Sequence, residues 1–262
     1  VQSRTLKLLD DLAADERAQL TSADVRARLG LSSQAAANLL SRLVDAGLLD
    51  RVARGVYAPR PLGRLGTRAA SEDVTLAVGA VFGDEPHRIA YRSALDHHDL
   101  LVHPARTIQV ALPRRVKLTE ISGRRLQPVY EPVGTVMTGT QSAGRGAMVS
   151  CVERAILESA SRLDLCGGWI TLAGAVGRAD LDPQRLTELA DRLDAGVAVR
   201  RIGSIAEVLG HTRLADALPA PSRDTRLVAL DPRAPVEEAW ADTRRRVRWP
   251  MAPHQARALI DA

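Results

Sequence analysis

The sequence predicts a mainly α protein with an α/β part: an N-terminal winged helix-turn-helix followed by a mixed α/β domain that carries a helical extension. Three observations predict it. Residues 1–60 hold three amphipathic helical stretches and then a basic, alternating segment that turns near a glycine. Residues 58–71, APRPLGRLGTRAAS, have the proline and glycine content of a boundary. Beyond them helical and strand periodicities mix, and after residue 166 strands nearly vanish. The expected domains are therefore 1–60, a linker at 61–71, and 72–262, divided into an α/β part at 72–165 and a mainly helical part at 166–262.

The first helix is predicted from Leu6, Leu9 and Ala13, with Leu8 and Leu12 beside them on a broad apolar face. Thr21 followed by Asp24 is the pattern of an N-cap pair for a second helix, which turns Val25 and Leu29 inward and stops at Gly30. Ser32 or Ser33 caps the third, in which Ala36, Leu39, Leu40 and Leu43 share one face. Gly47 supplies the left-handed stop common at helix ends. The second and third helices, joined at Gly30–Ser32, have helix-turn-helix order. LLDRVARGVYAP then alternates as a two-stranded hairpin with its turn near Ala53–Gly55.

The polar face of the third helix has the chemistry of a DNA reader. Ser33, Gln34, Ala37, Asn38, Ser41 and Arg42 lie on or flank the side away from the apolar residues. Gln and Asn amides can pair bidentately with adenine, and Arg with guanine or phosphate. Arg51 and Arg54 fall on the wing, where they can reach phosphates without reading sequence. Residues 26–60 contain six Arg and two Asp, a balance of +4, whereas residues 1–25 contain two Arg, one Lys, four Asp and one Glu, a balance of −2. The end expected to face DNA is the positive end. A winged helix used only for protein contacts is the alternative, since fold alone does not fix function.

Past the boundary, residues 72–82 read as a helix with Val74, Ala77, Val78 and Val81 inward. HRIAYRSALDHHDL reads as a short strand running into a helix. TIQVALP alternates Ile108, Val110 and Leu112 with Thr107, Gln109 and Ala111, the pattern of a half-buried strand. RRLQPVYEP is a second strand, placed at an edge by Pro128. VSCVERAILESASRL is a helix with Val152, Ala155, Ile156 and Ser159 on one side. Further on, GGWITLAGAVG is a short apolar helix, Asp182 and Pro183 start another that ends at Gly196, and VRRIGSIAEVLG is a third. RLVALDP is a last strand, followed by a tail with RRRVRW.

Composition narrows the class without naming it. Of 262 residues 45% are hydrophobic but only 3% aromatic, so Leu, Val, Ile and Ala must fill the core. The net charge of +5 suits an anionic partner. Cys151 and Cys166 lack metal-like spacing, which fits a reduced, cytoplasmic protein. No apolar run approaches a membrane span, and the polar, charged N-terminus is unlike a signal peptide.

The order of a small winged helix ending in RGVY, a linker, then YRSALDHHDL, TIQVALP and VERAILE resembles the AbiEi-type antitoxins of bacterial (type IV) toxin–antitoxin systems. The residues that carry the resemblance in the second half are Tyr91 to Leu100, Ile108 to Leu112 and Glu153 to Leu157. The resemblance implies a winged helix that binds operator DNA and represses the protein's own operon. It also implies a C-terminal antitoxin domain that neutralises a nucleotidyltransferase-like toxin. Modification of the toxin by an atypical kinase-like activity is a second route considered for such relatives. A ligand-sensing repressor is a third possibility. The expected state is a monomer or weak dimer that pairs on DNA.

Other clusters carry less. DHHDLLVH brings Asp96, His97, His98, Asp99 and His103 close in sequence, but adjacent histidines on a helix diverge by about 100° and fail the usual ligand spacing. No metal and no cofactor is expected. GTVMTGTQSAGRGA, residues 134–147, has Gly139 and Gly144 spaced as in a phosphate loop, but Arg145 and Gly146 replace the Lys and the hydroxyl residue, so a glycine-rich connector is expected. Arg106, Arg114, Arg115, Lys117, Arg124 and Arg125 form the densest basic group of the second half, six cations against Glu120, and could meet an acidic partner or DNA. RRRVRW could hold phosphates, with Trp249 as an anchor, or be a solvated helix end. Glu153 and Arg154 are expected in surface ion pairs. No catalytic set is recognisable.

Overall fold

The computed structural model describes residue 8, residues 19–60, residue 65, and residues 74–235 and 240–261. The predicted first helix and the linker fall outside the described residues, except for Leu8, which is helical and buried, and Leu65. The protein is a mixed α/β structure of twelve described helices and three sheets. It divides into two compact units, each drawing on separate stretches of chain: 1–89, 106–137 and 141–149 form one, and 90–105, 138–140 and 150–262 the other.

The first unit begins with β1 (Leu20–Thr21) and α1 (Ser22–Leu29). Thr21 Oγ1 accepts from the Asp24 backbone N–H at 3.2 Å, and Asp24 Oδ2 accepts from the Thr21 backbone N–H at 2.7 Å. This reciprocal box satisfies two helix-end donors. Gly30, at φ 66°, ends α1. Ser32 Oγ accepts from Ala35 N–H at 3.2 Å and so caps α2 (Ser33–Asp45). Leu8, Leu20, Val25, Ala36, Leu39, Leu40, Leu43 and Leu49 pack into one core. Each buried Leu contributes about 1.5–3 kcal/mol of transfer free energy. β2 (Leu49–Ala53) and β3 (Val56–Pro59) form an antiparallel hairpin that β1 joins on the β3 side.

The rest of this unit is α3 (Val74–Phe82) and a six-stranded sheet. Its strands are β4 (Arg88–Ile89), β5 (Ile108–Leu112), β6 (Glu120–Ile121), β7 (Arg124–Tyr130), β8 (Thr140–Gly144) and β9 (Ala147–Ser150), in the order β6-β7-β5-β4-β9-β8. β5 runs parallel to β7, from Ile108 beside Leu126 to Leu112 beside Tyr130. The alternation in TIQVALP predicts a half-buried strand, yet all five residues of β5 are buried. A central strand is covered on both faces, and Gln109 tolerates this because its Nε2 donates to Gln127 Oε1 on β7 at 3.0 Å. Glu131 N–H bonds inward to Leu112 O, so by alternation Pro128 turns its nitrogen to the outer side of β7. β6 pairs only with Arg124 and Arg125, leaving Pro128 on the uncovered edge.

Residues 134–147 are not a connector. They form the end of α5 (Val133–Val136) and most of the β8–β9 hairpin, whose turn residues Arg145 and Gly146 have φ 52° and 76°. Two successive positive φ values are what a tight two-residue hairpin demands. Gly79 is required where α3 meets this turn: a Cβ there would lie 2.1 Å from Arg145 O.

The second unit is helical: α4 (Tyr91–His97), α6 (Val152–Ser161), α7 (Leu163–Cys166), α8 (Trp169–Arg178), α9 (Pro183–Arg192), α10 (Gly196–Leu209), α11 (Thr212–Ala217) and α12 (Pro253–Asp261). Three short strands, β10 (Val228–Ala229), β11 (Trp240–Asp242) and β12 (Val247–Trp249), form a sheet in the order β10-β12-β11. α6 is the central helix rather than a one-sided one, with every residue from Glu153 to Ala160 buried. α9 stops at Arg192, and Gly196 opens α10 instead of closing α9. The RRRVRW stretch is neither an open tail nor a helix end: Arg245 and Trp249 are fully buried, and Trp249 Nε1 donates to Ser204 Oγ at 2.8 Å. Among the described residues no helix is long and apolar enough to cross a membrane.

Candidate nucleic-acid interface

α2 presents two chemically distinct faces. Ala36, Leu39, Leu40 and Leu43 are buried, while Ser33, Gln34, Ala37, Asn38, Ser41 and Arg42 are all exposed. At 100° per residue, Gln34, Asn38 and Ser41 fall within one arc, with Ala37 and Arg42 on its flanks. Gln34 Nε2 donates to Asn38 Oδ1 at 3.0 Å, so the two amides act as one unit.

The β2–β3 hairpin follows α2 directly. Arg51 and Arg54 are exposed on it, Arg54 at the turn that Gly55 closes with φ 77°. The hairpin is held at its base and at its side. Arg60 Nε meets Asp50 Oδ1 at 2.8 Å in a buried ion pair. Ser122 N–H, in the β6–β7 turn, donates to Val52 O at 2.8 Å. The eight residues expected to face DNA thus lie on two adjoining elements of the same unit, all exposed.

The basic group of the second half is divided by the structure. Arg124 and Arg125 open β7, next to the turn that bonds the hairpin at Val52. Arg125 is exposed and Arg124 half-buried. Arg114, at the other end of β5, is bound to Glu85 through two hydrogen bonds of 2.7 and 2.6 Å. Arg106, Arg115 and Lys117 are exposed. Nothing in the lone Ser122–Gly123 turn signals its partner on a strand far away in the chain.

The remaining clusters resolve into structural roles. Glu153 and Arg154 are buried rather than on the surface: Glu153 meets Arg185 at 3.5 Å and Arg154 meets Glu158 at 3.1 Å. Glu158 also accepts from Tyr91 N–H at 2.6 Å, at a residue with φ 52°, and from Ser150 Oγ at 2.8 Å. The stretches YRSALDHHDL and VERAILE therefore meet through a buried carboxylate. His98 Nε2 bonds Ser150 O at 2.7 Å. Among the described residues no three His, Cys, Asp or Glu side chains are grouped to hold a metal. Burial raises the pKa of both thiols, that of Cys166 to about 11, which disfavours the thiolate. A cleft of about 690 Å³ opens in the second unit between Glu153, residues 179–183 and residues 210–214.

The family model described as a transcriptional regulator, AbiEi antitoxin, matches residues 7–60 of this chain. That segment contains α1, α2 and the hairpin. The whole chain then shares its fold with the solved RV2827C protein from Mycobacterium tuberculosis, at 18% identity and a TM-score of 0.67, over 99% of this chain and 95% of that one. No curated relative matches this chain.

Proposed function

We propose that this protein is a DNA-binding antitoxin and autorepressor whose first sixty residues form a winged helix-turn-helix, with 61–71 as linker and 72–262 as the antitoxin domain. The observation that carries the DNA half is the exposed face of α2 beside the cationic hairpin. Ser33, Gln34, Ala37, Asn38 and Ser41 enter the major groove, while Arg42, Arg51 and Arg54 contact phosphates. Phosphate contacts fix the register and base contacts give the sequence preference. The hydrogen bond from Ser122 to Val52 O supports a wing held in one orientation. It also brings the turn that precedes Arg125 to the strand that carries Arg51. Arg106, Arg114, Arg115 and Lys117 offer a basic surface to an acidic partner.

The toxin half rests on the resemblance of residues 91–158 and on the description of the matching family. Its partner is a nucleotidyltransferase-like toxin, bound without a catalytic step. The protein acts in the cytoplasm as a monomer or weak dimer whose copies pair on operator DNA. Asn38→Ala is expected to weaken specific operator binding by roughly 1–3 kcal/mol, and Arg54→Ala to weaken binding to every duplex alike. A gel-shift titration with upstream operon DNA and a scrambled duplex checks both. Co-expression with the neighbouring toxin gene checks neutralisation: undiminished toxicity contradicts the antitoxin role, and a mass increase of the toxin after incubation with ATP and magnesium replaces binding with modification. The cleft near Glu153 favours one second reading, a ligand-responsive repressor, which predicts a metabolite that raises the melting temperature and changes operator affinity.

A further inference from the structure

We infer that Gln34 reads an adenine in the major groove and that Asn38 holds its amide in the reading orientation. This rests on the DNA-binding role proposed above and adds the base and the atoms. Gln34 Nε2 gives one hydrogen to Asn38 Oδ1 at 3.0 Å. An amide nitrogen has two hydrogens, so a second donor remains, next to the Oε1 acceptor. Adenine shows the N7 acceptor beside the N6 donor, guanine shows two acceptors, cytosine one donor and thymine one acceptor. The free donor and acceptor of Gln34 match adenine at both atoms. In this pairing Asn38 Oδ1 receives the nitrogen end of the Gln34 amide. It also keeps both hydrogens on its own Nδ2 for an acceptor on a neighbouring base pair.

An amide pair four residues apart can also serve only to stabilise an exposed helix. The surroundings argue for a groove. Residues 31–41 contain no Asp, Glu, Lys or Arg in a chain of which 26% is charged. The exposed neighbours Ser33, Ala37 and Ser41 are small, so a duplex can approach the backbone of α2 closely. A solvated helix has no reason to exclude charge: α9 exposes Arg185, Glu188, Asp191 and Arg192. The first cation of α2 is Arg42, displaced toward the C-terminal half, where phosphate is reached.

The test uses the full chain and duplexes selected from a randomised pool, with each adenine of the selected site replaced in turn by 7-deaza-adenine. That base pairs normally and lacks N7. One replacement per half-site is expected to weaken wild-type binding about tenfold, within the range for a bidentate contact. Gln34→Ala should bind the normal and modified sites alike. Asn38→Asp keeps the acceptor for Gln34, so it should retain the tenfold penalty despite weaker binding overall, whereas Asn38→Ala should lose most of it. All three positions are exposed, and circular dichroism verifies folding. A selected site indifferent to every replacement, a Gln34→Ala protein that keeps the penalty, or equal loss in Asn38→Asp and Asn38→Ala would overturn the assignment while leaving sequence-specific binding intact. Failure to select any site removes the DNA-reading role itself.

Discussion

The hairpin at 49–59 and the segment at 240–249 are both short, basic and strand-forming, and they use arginine in opposite ways. Arg51 and Arg54 stand in solvent on the hairpin. Arg245 is fully buried, with Nε 2.9 Å from Glu207 and Nη1 3.0 Å from the carbonyls of Leu218 and Pro219, and it also bonds Ala215 O. Arg200 and Arg201, buried on α10, likewise end on carbonyls of Arg245, Arg226, Ala160 and Ala229. Five N–H donors let one guanidinium satisfy several carbonyls that end helices and strands. Positive charge in this chain thus occupies two settings, solvent and core, and the net charge of +5 does not measure what the surface presents.

The largest effect that would break this contrast is Arg245→Ala. Removing it leaves three carbonyls without their donor and takes from Glu207 the nearer of its two arginines, Arg244 remaining at 3.4 Å, and the expected cost is about 3–5 kcal/mol. Urea unfolding monitored by circular dichroism checks it, with DNA affinity per folded molecule unchanged; a cost below about 1 kcal/mol would put Arg245 with the solvated arginines. Arg51→Ala and Arg54→Ala should do the reverse. Each is expected to lower affinity for all duplexes roughly three- to tenfold at low salt and to reduce the salt slope by about one, with stability within about 0.5 kcal/mol of wild type.

A pH titration sharpens the comparison from the buried side of the first unit. His87 is buried, its Nδ1–H donating to Glu85 O at 2.8 Å and its Nε2 accepting from Met148 N–H at 3.1 Å. Desolvation lowers its pKa from the ordinary 6.5, against the opposing pull of Glu85. The fold therefore holds the neutral ring. Its contribution is complete above about pH 6.5 and declines as the pH falls below that toward the lowered folded-state value, with a slope of at most about 1.4 kcal/mol per pH unit. In urea melts at stepped pH, His87→Gln should flatten this dependence; an identical dependence in the variant would assign it to other groups. The smallest expected effect is Asp99→Gly: Asp99 is exposed with φ 57°, and glycine there should gain about 0.5–1 kcal/mol in the same melts.

Local features of residues 20–60 were legible in the sequence because each is determined within a few residues. Thr21 with Asp24, Gly30, Ser32 and Gly47 act where their side chains or left-handed backbone are needed. The exposed arc of α2 follows from helical period alone. Features made by distant contacts were not legible. β5 reads as half-buried because alternation cannot show that a second layer covers its other face. Glycines at 139, 144 and 146 suggest a loop, yet Arg145–Gly146 closes a hairpin against Gly79. Glu153 and Arg154 look like surface charges because partners such as Arg185 are remote, and Glu158 reaches across 67 positions to Tyr91. The arginines of RRRVRW and of the β2–β3 hairpin are alike in composition, and only tertiary packing separates them.

The most direct measurement of the central claim is fluorescence anisotropy of the full chain with DNA from upstream of its own reading frame and with scrambled DNA, at physiological salt. A specific repressor predicts a preference of roughly a thousandfold or more for the upstream duplex, reduced by Asn38→Ala. Equal affinity for the two duplexes, or a preference untouched by Asn38→Ala, would contradict it.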